Sequence, residues 1–211
     1  MARDLQRRVD KRLRRAGAIL SSEQIEQLCA YFGLLAKCNK RLNLTSLPTE
    51  PTTDDALDRL LVEPIVASSA LVASDALLID LGSGGGSPAL PLKIAAPQLQ
   101  LVMVEAKARK SAFLREAVRH LGLLRVEIAN ARFEELLTRV DLHESADIVS
   151  VRAVKADRRL WEAVQAFLAP AGRVFWFTTT QAAPLVTPPL HVDSIIALPG
   201  ASRLVVLSCR I

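Results

Sequence analysis

Residues 79–88 read IDLGSGGGSP and close an apolar run that starts at Ala76. Gly82, Gly84, Gly85 and Gly86 put four glycines within five residues. Glycine takes φ > 0 without the steric cost of a Cβ, and it lets main chain lie directly against a bound molecule. In an open parallel sheet, ligands bind beyond the carboxyl ends of the strands, first of all at the turn from strand to helix. The stretch therefore predicts the floor of a cofactor site. The bland alternative is a tight turn that holds nothing.

The flanking sequence supports a sheet of that kind. Short apolar runs (ALLIDLG, LQLVMVE, LRVEIAN, ADIVSVRAV, GRVFWFT) alternate with helical patterns (PALPLKIAAP, KARKSAFLREAVRHLG, ARFEELLTR, RRLWEAVQAFLAP). Such alternation predicts an α/β, doubly wound, mainly parallel sheet with helices on both faces, and nearly continuous apolar runs suit strands buried on both sides. The last two runs, HVDSIIALPG and RLVVLSCRI, have only PGAS between them. A connection that short joins antiparallel strands, so the seven-stranded sheet is expected to end in a hairpin.

Upstream of the glycines the texture is helical. In RDLQRRVDKRLRRAG, Leu5, Val9 and Leu13 recur every four residues beneath a basic face, which is either a solvated helix face or an RNA contact. A second helix begins at Ser21, with Gln24 as its capping-box partner and Ile25, Leu28, Phe32 and Leu35 as its core stripe. NLTSLPTEPTTDD reads as a loop, followed by a helix from Asp54 to about Ala73. Residues 1–74 are thus expected to form a helical extension packed on a domain of residues 75–211.

Composition sets the outer bounds. The 211 residues are 50% hydrophobic but only 4% aromatic, so the core must be mostly aliphatic. A net charge of +5 and a pI near 9.4 favour an anionic partner such as nucleic acid. Cys29, Cys38 and Cys209 form no CxxC pair, which argues against zinc and against a disulfide framework and fits a reducing cytoplasm. His120, His143 and His191 are scattered without metal-ligand spacing. No run reaches the ~20 apolar residues of a spanning helix. The Arg-rich start resembles a transit peptide, but Asp4 and Asp10 count against one.

Two cofactor classes compete for the loop. A dinucleotide site wants G-x-G-x-x-G, and here the third position is Ser87, followed by Pro88. A nicotinamide-dependent oxidoreductase is thereby disfavoured. Asp80, Gly82, Gly84 and Gly86 give acidic-x-Gly-x-Gly-x-Gly instead, the arrangement associated with S-adenosylmethionine in class I methyltransferases. Glu105 ends the second apolar run, where a carboxylate can accept both ribose hydroxyls.

The chain resembles the bacterial small-subunit ribosomal RNA guanine-7 methyltransferases, also called glucose-inhibited division protein B. KCNKRLNLTS is similar to the family's K-x-N-K-x-x-N-L-T-S signature, LIDLGSGGGSPALPLKI to its cofactor loop, and KARKSAFLREAVRHLGL, ARFEE and VSVRAV to further family segments. The resemblance implies a monomeric cytoplasmic enzyme with ribosomal RNA or the small ribosomal subunit as partner and S-adenosylmethionine as cofactor. It implies that Gly82, Ser83, Gly84 and Ser87 approach the cofactor, that Glu105 meets its ribose, and that Phe133 and Glu134 lie by the adenine. Arg152 is implied at the methionine side or at the mouth facing RNA, as the one candidate catalytic residue, with a structural ion pair as its alternative. Guanine N7 carries no proton to remove, so the lack of a general-base constellation is consistent with this chemistry.

The chain departs from the family pattern at three places. Thr178 and Thr179 stand where the family has Lys-Gly, Cys38 replaces a tryptophan, and DRLLVEPI stands for R-H-x-x-D-S. With Val62, Glu63 and Pro64 at the end of that last segment, a His and an Asp are expected to be missing, and Pro64 to disturb the helix. The first and last of these changes fall on the substrate side. They keep open a paralogue acting on another RNA, or a non-catalytic module that binds S-adenosylmethionine or RNA.

Overall fold

The computed structural model describes residues 2–71, 75–179, 186 and 188–209. Seven strands form one sheet: β1 (Leu77–Leu81), β2 (Gln100–Val104), β3 (Val126–Ala129), β4 (Ala146–Arg152), β5 (Leu168–Thr178), β6 (Leu190–Ala197) and β7 (Arg203–Cys209). Their order is β3-β2-β1-β4-β5-β7-β6. The first five strands pair in parallel, while β7 enters antiparallel between β5 and β6. The hairpin expected from PGAS is present. The order reverses between β1 and β4, so the glycines that follow β1 sit at the topological switch point.

Alternation along the strands divides the core into two layers. Leu78, Leu101, Met103, Ile148 and Phe175 face one side and pack with the N-terminal helices. Ile79, Leu81, Val102, Val149 and Val174 face the other and pack with α7 (Arg158–Phe167) through Leu160, Trp161, Val164 and Phe167. The same period places Asp80, Ser150 and Arg152 on the face covered by the N-terminal helices.

That layer begins with α1 (Ala2–Arg15) and α2 (Ser22–Leu42). Val9 and Leu13 of α1 are buried, as are Ile25, Leu28, Phe32 and Leu35 of α2. The capping box forms: the Gln24 amide N–H donates to Ser21 Oγ at 3.2 Å, and the Ser21 N–H donates to Gln24 Oε1 at 3.0 Å. Gln24 Nε2 also donates to the carbonyls of Ile94 and Ala95 at the end of α5 (Ala89–Ala95), joining α2 to the helix that follows the glycines. The layer also holds α6 (Ala108–His120), through Phe113, Leu114 and Ala117.

The helix predicted from Asp54 is more irregular than its sequence suggests. It runs as α3 (Asp54–Leu57), a π-helical turn (Asp58–Val62), α4 (Glu63–Ala67) and a 3₁₀ turn (Ser68–Ala70). Leu71 is extended, and the predicted end at Ala73 lies outside the described residues. ARFEELLTR is also not an α-helix. It forms a 3₁₀ turn, Glu135–Thr138, and a second one follows at Val140–Leu142. Arg139 separates them at ψ 85, its guanidinium held by Asp141 and Glu127.

Candidate functional site

The loop after β1 is held from two sides. From β2, the Val104 carbonyl accepts the N–H groups of both Gly82 and Ser83 at 2.9 Å. Just beyond β2, Glu105 Oε2 accepts the Gly84 N–H at 2.9 Å, and Oε1 accepts the Lys107 N–H at 2.8 Å. From α2, the buried Tyr31 hydroxyl donates to the Gly85 carbonyl at 2.8 Å. Tyr31 therefore supports the glycine turn from behind, a role that no feature of the sequence announces.

The four glycines have different reasons to lack a side chain. A Cβ on Gly82, at φ +78, would lie 2.6 Å from Val154 Cγ2; on Gly85 it would meet the Leu44 carbonyl at 3.0 Å, and on Gly86 Leu90 Cδ1 at 2.6 Å. These three are packed against protein. At Gly84 the nearest atom to an added Cβ is the Gly82 carbonyl oxygen, 3.7 Å away. Gly84 is the one of the four where an added Cβ would meet protein only at ordinary van der Waals distance, at the edge of the space above the loop.

That space is a cleft with two lobes. One lobe, of about 580 Å³, is lined by Gly82, Glu105, Ala131, Phe133 and Glu134. The other, of about 380 Å³, is lined by Gly82–Gly85, Ser87, Glu105, Arg59, Lys107, Lys110 and Arg152, with Asn43–Leu47 along one wall. Gly82, Glu105 and Lys107 belong to both lobes. The first lobe sets an apolar wall of Val104, Ala131 and Phe133 beside the charged Arg132, Glu134 and Glu135, and the second has a wall rich in cations at Arg59 and Arg152.

Arg152 both lines the cleft and forms an ion pair. Its Nη2 contacts Glu63 Oε2, Nη1 donates to the Arg59 carbonyl at 2.6 Å and to Ser87 Oγ at 3.3 Å, and the guanidinium sits 5.2 Å from the centre of the Phe177 ring. The Glu63 side chain is fully buried. Burial pushes its carboxyl above the usual range, and the charges of Arg152 and Arg59 pull it back. The family's His and Asp are absent from DRLLVEPI, as its sequence shows, and Glu63 supplies a carboxylate to Arg152 there.

Pro64 does disturb the helix, and the disturbance makes contacts possible. The Glu63 N–H reaches back to the Asp58 carbonyl, which leaves the Arg59 carbonyl without its α-helical donor. Pro64 has no N–H, so the Leu60 carbonyl loses its donor as well. Arg152 then donates to the first and Ser87 Oγ to the second, at 2.9 Å. Two carbonyls released by the helix thus fix one residue of the glycine loop and one at the end of β4. Ser83 Oγ instead donates to the Asp80 carbonyl at 3.1 Å.

Asp80 lies beneath the loop rather than in the cleft. It is buried, Oδ1 accepts from Ser150 Oγ at 2.5 Å, and Oδ2 has no hydrogen-bond partner. Burial pushes its carboxyl up to about 6. Thr178 ends β5 opposite Arg203 of β7.

The basic face of α1 is largely satisfied within the chain. Arg7 pairs with Asp4, Arg8 with Asp54, Arg12 with Asp54 and Asp58, and Arg14 with Asp10. By contrast, Lys107 and Lys110 line the cleft with no carboxylate in ion-pair contact among the described residues. Arg3, Lys11 and Arg15 of α1 likewise have no carboxylate in ion-pair contact among the described residues, so both α1 and the cleft lysines present uncommitted positive charge.

Residues 24–184 match the family model described as rRNA small subunit methyltransferase G. The chain belongs to that family. Similar curated proteins are the ribosomal RNA small subunit methyltransferases G of Leuconostoc citreum, 38% identical over 74% of this chain and 66% of the relative, and of Xanthomonas axonopodis pv. citri, 43% identical over 52% and 49%. The chain thus spans about half to two thirds of the length of these relatives. Among solved structures, a mutant of MtNAS in complex with S-adenosylmethionine aligns with TM-score 0.61 at 15% identity, over 88% of this chain and 79% of that one. A SAM dependent methyltransferase from Aquifex aeolicus aligns with TM-score 0.58 at 13% identity, over 75% and 94%. These likenesses are of fold, and the fold is the α/β Rossmann-like sheet of class I methyltransferases.

Proposed function

We propose that the chain transfers a methyl group from S-adenosylmethionine to N7 of a guanine in small-subunit ribosomal RNA. The observation that carries this reading is the two-lobed cleft joined at Glu105. S-adenosylmethionine has a flat aromatic base with a hydrogen-bonding edge, a ribose diol and a charged amino-acid end, in that order. The Phe133 lobe suits the base, Glu105 the diol, and the cation-lined lobe the amino-acid end. The uncrowded position at Gly84 and the unpartnered Arg59 Nε in the second lobe fit a ligand of this kind.

Bound there, S-adenosylmethionine would supply a methyl already activated on a sulfonium. The residues then have positioning work to do. Glu105 keeps free lone pairs after accepting its two backbone N–H groups and can take ribose hydroxyls. The Asn130 amide and the Ser111 hydroxyl hold the Glu105 carbonyl at 2.9 Å each, which fixes the carboxylate's origin. Arg152, braced by Glu63, borders the reacting lobe and helps orient what enters it. No side chain needs to act as a base, because the nucleophilic nitrogen has a free lone pair, and holding the reactants in line can supply most of the acceleration. Lys107 and Lys110 would meet RNA phosphates at the rim.

The test uses labelled S-adenosylmethionine with small ribosomal subunits, and with bare ribosomal RNA, from cells lacking the protein. The expected result is methyl transfer to a single guanine. No transfer to either substrate, with cofactor binding intact, would refute the reading and leave a non-catalytic module or a different RNA substrate.

A further inference from the structure

We infer that Arg59 holds the carboxylate at the amino-acid end of the cofactor, an assignment that rests on the S-adenosylmethionine reading of the cleft. Arg59 lines the second lobe, and its Nε is buried without a hydrogen-bond partner. A buried donor left unpaired costs free energy, and a ligand that pairs it recovers that cost on binding.

The neighbouring charges leave this role to Arg59. Arg152, the other guanidinium in the lobe, is already committed to Glu63, to the Arg59 carbonyl and to Ser87. Of the carboxylates nearby, Glu63 is bound to Arg152, and Glu105 accepts the N–H groups of Gly84 and Lys107. Arg59 and Arg152 thus share the single charge of Glu63, which leaves the pair of guanidiniums with a positive excess and Arg59 with an Nε that no acceptor meets. Arg59 also belongs to the π turn, and its own carbonyl is clamped by Arg152 at 2.6 Å, so the base of its side chain is fixed.

The chemistry of the ligand matches. With the ribose at Glu105 and the base at Phe133, the amino-acid chain leaves over Gly82, which both lobes share. A carboxylate is planar and accepts two parallel N–H bonds, and a guanidinium presents such a pair from Nε and Nη. Lys107 and Lys110 offer point charges without that fork.

The experiment measures equilibrium affinities of the full chain, and of Arg59→Met and Arg59→Lys, for S-adenosylmethionine and for decarboxylated S-adenosylmethionine. The two ligands share base, ribose, sulfonium and ammonium and differ only in the carboxylate. The unmodified chain is expected to prefer the carboxylated ligand by roughly 10- to 100-fold, the range of a charge-assisted hydrogen-bonded pair. Arg59→Met should abolish that preference without weakening the decarboxylated ligand, and Arg59→Lys should keep part of it. Equal weakening of both ligands in Arg59→Met would overturn the inference, because Arg59 would then support the loop rather than the carboxylate. No preference in the unmodified chain would overturn it without any variant having to fold. Binding of neither ligand by the unmodified chain would instead refute the cofactor reading itself.

Discussion

Replacing Glu63 by leucine removes one half of a buried ion pair and leaves Arg152 charged in the same place. The Glu63 side chain is fully buried, and that of Arg152 is 12% exposed. Breaking such a pair from one side costs roughly 3–5 kcal/mol, because the remaining charge has lost both water and partner. Arg152 keeps the Arg59 carbonyl and the Ser87 hydroxyl as acceptors, which points to the lower end, about 3 kcal/mol. For a chain of 211 residues, each kcal/mol moves the melting temperature by about 2–4 °C, so a drop of roughly 6–12 °C is expected. The double variant Glu63→Leu/Arg152→Met removes both charges and should recover most of the loss. Urea unfolding of the four proteins, including Arg152→Met alone, completes the cycle and gives the coupling directly. A loss below about 1 kcal/mol in Glu63→Leu, the size of an exposed pair, would refute the claim that this pair braces the cleft.

Four further outcomes are expected. Burial raises the Asp80 carboxyl from 3.8 to about 6, so the folded state holds that proton more tightly than the unfolded chain does. The resulting stability is present below about pH 4 and is lost as the pH rises through about 6, on the order of 3 kcal/mol in all; Asp80→Asn should lack that decline, and parallel stability curves across pH 4–6 would contradict it. Tyr31→Phe leaves the Gly85 carbonyl without its donor and should cost roughly 1–3 kcal/mol in urea unfolding, with a lower affinity for S-adenosylmethionine; unchanged affinity would mean that the loop does not depend on α2. Gly84→Ala should cost about 1 kcal/mol of stability for its left-handed φ yet sharply weaken S-adenosylmethionine binding, measured by calorimetry; undiminished binding would place the ligand elsewhere. Lys107→Gln and Lys110→Gln should each lower the slope of log affinity for RNA against log salt by about 0.7–0.9, whereas Arg14→Gln, already paired with Asp10, should leave it unchanged.

The framework of the site is legible in the chain because its signals are local. Glycines after an apolar run, an acidic residue at the end of the next run and a turn too short for a crossover each follow from a few neighbouring residues, and they give the sheet, the loop, Glu105 and the final hairpin. Contacts between distant segments leave no such trace. Tyr31 and Gly85 are far apart in sequence, and nothing in AYFGLL marks one tyrosine as the support of a turn. The arginines of α1 read as a candidate RNA-facing stripe because the partners of Arg8 and Arg12, Asp54 and Asp58, come from a distant segment. The segment DRLLVEPI reads as a loss, since a proline and a missing histidine are conspicuous in a pattern. Only the folded backbone reveals that Glu63 meets Arg152 and that the proline frees a carbonyl for Ser87.

The wide turn at 58–62 has a consequence for length as well as for contacts. It contains one residue more than an α-turn would need between the same flanks. Deleting a single residue there would let ordinary α-helical spacing resume between the same flanks. The carbonyl freed by the wide turn would return to a donor inside the helix, and only the one opposite Pro64, which has no N–H, would stay free to accept from Arg152 or Ser87. Side chains in this segment can be exchanged at a graded cost, but its residue count decides how many main-chain acceptors it offers: a chain one residue shorter would be a more regular helix with one carbonyl fewer to hold Arg152 and Ser87.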